Sequence, residues 1–152
     1  VIDFDVHHGN GTQHSFENEP GLFYGSSHQF PAYPGTGSKS DTGIANNICN
    51  TPLLPGSGST EFRDAYQNSI LPALRHFNPE LIIISAGFDA HIRDPLANLN
   101  LQTPDYAWVT RELMDVADEY CEGRVVSLLE GGYDLDALRE SAVIHVKTLM
   151  NV

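Results

Sequence analysis

Long apolar runs are missing from this 152-residue sequence. No stretch approaches the roughly 20 apolar residues that cross a bilayer, and no charged head followed by an apolar core marks a secretory leader, so a membrane partner is not expected. Cysteine is scarce: Cys49 and Cys121 stand far apart, without Cys-x-x-Cys spacing. That excludes a disulfide scaffold and reads as reduced thiols from a reducing compartment, with the cytoplasm as the expected location. Basic residues are few, 8 against 20 acidic ones, for a formal net charge of -12. Such a surface repels phosphate backbones, so direct nucleic-acid binding is not expected and cationic partners are favoured. Repeats and low-complexity segments are also absent. What remains is a chain with 41% hydrophobic residues, enough for a buried core, read as one unit over residues 1–152.

Three apolar runs end in polar or glycine-rich turns. They are Val1 to Asp5 into VHHGNG, Leu81 to Ser85 into AGFDAH, and Val125 to Leu129 into EGGYDL. Each reads as a buried strand with a loop at its carboxyl end. Leu22 to Ser26 is a fourth candidate, leading into SHQFPAYPGTG, whose prolines and glycines predict a long shaped loop. Phe62, Ala65, Tyr66, Ile70, Ala73, Leu74 and Phe77 recur at helical spacing from about Ser59, with a kink expected at Pro72. Thr103-Pro104-Asp105 is a helix start, Gly123 its stop, and a last helix is expected from about Asp136 to Met150. Strands alternating with helices predict a three-layer α/β/α fold with a mainly parallel sheet. The strand-like start, with no polar lead-in, predicts a domain entered partway through, incomplete at its N-terminus.

In such a sheet every carboxyl end opens on one edge, where ligands bind. Asp5 and His7 leave the first strand two residues apart and so point to the same side. Asp89 and Tyr133 each follow their strand by four residues. Asp5, His7 and Asp89 would supply three protein ligands and leave a fourth position open, the pattern of a catalytic rather than a structural zinc site. Tyr133, after Gly131 and Gly132, is a neutral donor on an uncrowded turn, suited to hold an oxyanion beside the metal. Singly, each of these is more often a cap or a rim residue; convergence of three strand ends is what points to chemistry.

The motifs DFDVHHGNGTQ (Asp3 to Gln13), FPAYPGTG (Phe30 to Gly37), SAGFDAH (Ser85 to His91) with DPL (Asp94 to Leu96), and LEGGYDL (Leu129 to Leu135) span most of the chain in order. By them the sequence resembles the histone deacetylase superfamily, in particular its class II and bacterial acetylpolyamine amidohydrolase-like members. The resemblance implies an arginase/deacetylase fold. It also implies zinc-dependent hydrolysis of N-acetyl-lysine or N-acetylpolyamine amides, releasing acetate and a free amine. It makes Asp5, His7 and Asp89 the zinc ligands and Tyr133 the catalytic donor. It further implies structural K+ held at Asp3, Asp5, His7, Ser26 and Ser27, with Phe16 at an outer site. Tyr33 then walls the acyl-lysine tunnel beside Gly131 and Gly132.

The family places a proton-transferring His-His pair well upstream of its Asp-x-His motif, and only four residues precede Asp5 here. The 152 residues alone are therefore expected to be inactive. The early strands would also be missing, exposing an apolar sheet edge and leaving a homo-oligomer open as a partner. Two other readings stay in play: an arginase-like hydrolase with two manganese ions, and a catalytically incomplete binding or scaffold module.

Overall fold

The computed structural model describes all of residues 1–152. Five strands, β1 (Ile2–Asp3), β2 (Tyr24–Gln29), β3 (Ile48–Leu53), β4 (Ile82–Ala86) and β5 (Val125–Leu129), form one sheet in the order β3-β2-β1-β4-β5. All pairings are parallel. The helices are α1 (Asn10–Phe16), α2 (Ser59–Ala65), α3 (Leu71–Phe77), α4 (Thr103–Tyr120) and α5 (Leu135–Leu149). The strand order reverses between β1 and β4, so the crevice of this doubly wound sheet opens where the first and fourth strands end.

One face carries Ile2, Gly25, Ile84 and Ser127 in register, and α2 to α5 cover it. Ile2 and Ile84 are fully buried there with Tyr66, Tyr106, Val109 and Leu113. The other face carries Asp3, Ser26, Asn50, Ser85 and Leu128. Helix α1 lies over β2 and β3, where Gln13 Oε1 accepts from Asn50 Nδ2 at 2.8 Å. Over β4 and β5 this face is open, leaving Val126 and Leu128 47% and 53% exposed.

Helix α1 was not expected, and β2 runs through Ser27–Gln29 where a loop was expected; three further differences have local reasons. The first strand covers only Ile2–Asp3: Phe4 N still donates to Ser85 O of β4, but beyond it carboxylates take the amides. Asp5 N donates to Asp3 Oδ1, Val6 N to Asp89 Oδ1 and His7 N to Asp5 Oδ1. Strand β3 was not anticipated, since Asn50 and Pro52 interrupt its apolar pattern; an edge strand tolerates both. The kink expected at Pro72 is instead a π-helical turn over Tyr66–Ile70, with Leu71 N reaching Tyr66 O. Proline lacks an amide hydrogen, and the wider turn lets the chain enter α3 with Pro72 near its start.

Candidate active site

Asp5 and His7 leave β1, and Asp89 follows β4 across the switch point. His7 Nδ1 stands 3.2 Å from Asp5 Oδ1 and 3.2 Å from Asp89 Oδ2. One donor atom from each residue lies within 4.8 Å of the others, the spacing a single metal ion requires. Asp89 is almost wholly buried, and its Oδ2 receives no hydrogen bond. An orphaned carboxylate oxygen beside a second carboxylate is costly unless a cation lies against it, so the set fits a divalent metal. Burial first, then the Asp5 charge, push the Asp89 carboxyl well above the usual carboxylate range.

The opposite carboxylate oxygens are occupied by the backbone. Asp89 Oδ1 accepts from Val6 N at 2.9 Å, and Asp5 Oδ2 accepts from Gly131 N at 2.9 Å. Gly131 O in turn accepts from Phe88 N at 2.7 Å. The turn before Tyr133 is thereby tied to Asp5 and to Phe88, the neighbour of Asp89. Glycine is required at this approach, because a Cβ on Gly131 would collide with Asp89 Oδ2 and Asp5 Oδ2. Gly132 has a φ of 143°, which a side chain would strain.

Tyr133 is half exposed, with its phenol held above the ordinary range by desolvation and then by the Asp89, Asp5 and Asp94 carboxylates. It stays protonated and able to donate. Its backbone N donates to Asp94 Oδ2 at 2.7 Å. Tyr33, 81% exposed, stands edge-on over the His7 ring with centroids 6.3 Å apart. Asp3, Asp5, His7, Tyr33, Gly131 and Tyr133 line one open depression. A second hollow, at the opposite end of the strands among Phe16, Leu22, Phe77 and Leu81, is apolar and holds none of these groups.

Of the other residues named from sequence, Asp3, Ser26 and Ser27 lie beneath this rim, whereas Phe16 lies at the opposite hollow. Asp3 pairs in register with Ser26, and its Oδ2 accepts from Tyr24 Oη at 2.9 Å. Burial raises the Asp3 carboxyl to about 7. Ser26 and Ser27 are buried in β2. Phe16 closes α1, and its carbonyl accepts from both Glu19 N and Asn47 Nδ2.

A polar layer built on His8 and His28 lies under the Tyr33 loop. His8 Nε2 is 2.8 Å from Gln13 Oε1, and His8 Nδ1 is 2.8 Å from Thr36 Oγ1. His28 Nε2 donates to Gly37 O at 3.0 Å, with Ser26 Oγ on its Nδ1. Desolvation keeps both rings neutral, His28 at about 4. Nothing in one dimension shows that these two segments meet.

The family model described as Histone deacetylase domain matches residues 1–149. Histone deacetylase 14, chloroplastic, of Arabidopsis thaliana is 43% identical over 99% of this chain and 36% of its own length. The histone deacetylase-like amidohydrolase of Pseudomonas aeruginosa is 40% identical over 88% of this chain and 36% of its own. The solved HDA15 HD domain superimposes with a TM-score of 0.91 at 37% identity, covering 99% of this chain and 43% of that one. A parallel sheet with Asp5, His7 and Asp89 grouped at its switch point, together with these matches, defines a deacetylase-type amidohydrolase fold. The chain belongs to the histone deacetylase family, and it spans less than half the length of these relatives.

Proposed function

We propose that this chain carries the metal-binding half of an active site that hydrolyses N-acetyl-lysine or N-acetylpolyamine amides, releasing acetate and a free amine. The observation that carries this reading is the buried Asp89 Oδ2, without a hydrogen-bond donor and 3.2 Å from His7 Nδ1. Zinc suits the set, since two carboxylates and one imidazole leave a coordination position for substrate. When bound, zinc supplies Lewis-acid polarisation of the acyl carbonyl.

The chain's own residues do the rest. Asp5 and Asp89 direct one oxygen each toward the ion, and their other oxygens hold the Val6 and Gly131 amides in place. Tyr133 donates its phenolic proton in a hydrogen bond to the acyl oxygen as negative charge gathers there. Tyr33 provides a flat wall along the four-carbon stem of a lysine or polyamine. His8 is not the proton acceptor: its ring nitrogens are engaged by Gln13 and Thr36. His8 therefore supports the site rather than taking the proton, and these 152 residues by themselves are expected to turn over no substrate.

The proposal extends to structural K+ at Asp3, Asp5, His7, Ser26 and Ser27, whose carboxylate, hydroxyl and carbonyl oxygens suit a hard cation. Phe16 is the least available member, its carbonyl already accepting two hydrogen bonds. A reducing compartment such as the cytoplasm is in keeping with the free thiols of Cys49 and Cys121.

The test is turnover of an acetyl-lysine peptide by the whole protein and its Tyr133→Phe variant. The variant is expected to lose about 10²- to 10³-fold in kcat with zinc content unchanged. Equal rates would remove Tyr133 from the chemistry, and a whole protein that binds the peptide without hydrolysing it would favour the binding-module reading.

A further inference from the structure

Asp94 has no part in holding the metal, yet it is a buried carboxylate facing the turn that bears Tyr133. Its Oδ2 accepts from Tyr133 N at 2.7 Å and from Asp134 N at 3.3 Å. Its Oδ1 accepts from Leu96 N at 3.0 Å, and its own amide donates to His91 O at 2.8 Å. One side chain therefore joins the segment after Asp89 to the first residues of the turn that opens α5.

Little else fixes Tyr133. Its side chain is half exposed, and Gly131 and Gly132 before it lack side chains that could pack. Upstream, Gly131 is held by Asp5 Oδ2 and Phe88 N. Downstream, Asp134 caps α5 by accepting from Ala137 N at 2.7 Å. Between these anchors the Tyr133 amide has Asp94 as its partner. A negative acceptor for two adjacent amides is a charge-assisted contact, stronger than a neutral turn hydrogen bond.

We propose that Asp94 is a positioning residue for catalysis: its carboxylate sets the height and direction of the Tyr133 phenol over the acyl oxygen by gripping the Tyr133 and Asp134 amides. The proposal rests on the oxyanion role given to Tyr133 above. A phenol displaced by even 1 Å from a developing charge loses most of its value, because donor geometry decides the strength of such stabilisation. Asp94 thus acts through Tyr133 and touches no reacting atom.

The experiment uses the whole protein as wild type, Asp94→Asn, Asp94→Ala, Tyr133→Phe and the Asp94→Ala/Tyr133→Phe double variant. Asp94→Ala is expected to lower kcat about 10- to 100-fold with KM little changed, the range for removing a hydrogen bond to a charged group. Asp94→Asn keeps the volume and one acceptor oxygen, so its loss should be smaller. In the Tyr133→Phe background, removing Asp94 should cost less than about threefold, since the phenol it positions is already gone. Hydrogen exchange in the 131–136 segment should rise in both Asp94 variants while the amides of β4, held in the sheet, stay protected and zinc content is unchanged.

Multiplicative losses in the double variant, an unchanged kcat in Asp94→Ala, or unaltered exchange at the turn would each overturn the proposal. Should Asp94→Ala fail to fold, Asp94→Asn read by the same exchange and double-variant measurements decides the matter. If Tyr133→Phe alone leaves turnover intact, the proposed chemistry falls and takes the catalytic role of Asp94 with it. The exchange data then still report whether the carboxylate holds the turn.

Discussion

At the scale of single residues the site depends on what is small as much as on what is charged. Gly131 sits where any Cβ would enter the space of Asp89 Oδ2 and Asp5 Oδ2, while its amide donates to that same Asp5 oxygen. Gly131→Ala should therefore push the two acids apart without removing either ligand. Metal affinity, followed by competition with a chromophoric chelator, is expected to fall about 10- to 100-fold, as for other changes behind metal ligands. An alanine variant that binds zinc as tightly as the parent would show that the two acids can shift at no cost. Asp5, His7 and Asp89 come together as the sequence led one to expect, although β1 ends at Asp3 and the bend beyond it, rather than strand periodicity, carries Asp5 and His7. Asp94 was not legible: its partners Tyr133 and Asp134 are 39 and 40 residues away, a distance that no local pattern bridges.

At the scale of elements, the apolar runs announced β1, β4 and β5, and helical spacing announced α4 and α5. β3 escaped because its Asn50 serves Gln13 and Ser38 rather than solvent. His145 on α5 is buried and ties three elements together. Thr110 Oγ1 on α4 donates to Tyr106 O, so it accepts from His145 Nδ1, and His145 Nε2 accepts from Ser127 on β5. That ring is neutral, and burial lowers its pKa to about 4 from 6.5. The folded state thus binds its proton more weakly than the unfolded chain, and the stability this contributes is whole above pH 6.5 and lost as pH falls toward 4. Urea unfolding of the whole protein at pH 7.5 and pH 5 checks this. A His145→Gln variant should lose about 2 kcal/mol less than the parent between those values. Parallel losses in the two proteins would mean that the ring is already charged in the fold.

At the scale of the molecule, the strand order explains why chemistry concentrates at one place. The chain reverses direction across the sheet between β1 and β4, and the acids from both strand ends meet where no helix can cover them. The fold pays for that crowding when no cation is present. Asp3 is raised by burial to about 7, and Asp89 is raised by burial and by Asp5, both from 3.8. Carboxyls with raised values favour the fold below pH 3.8, and the advantage disappears as pH climbs toward 7 and the buried groups become charged. A divalent ion at Asp5, His7 and Asp89 offsets that charge, so its stabilising effect must grow over the same window. The rise in Tm on adding zinc to the metal-free whole protein should therefore be larger at pH 7.5 than at pH 5.5. At 100-fold excess over Kd the gain is on the order of 2.7 kcal/mol, measured where the acids are ionised. An equal shift at both pH values, or one that survives in an Asp5→Asn/Asp89→Asn double variant, would place the stabilising ion somewhere other than the β1–β4 crevice.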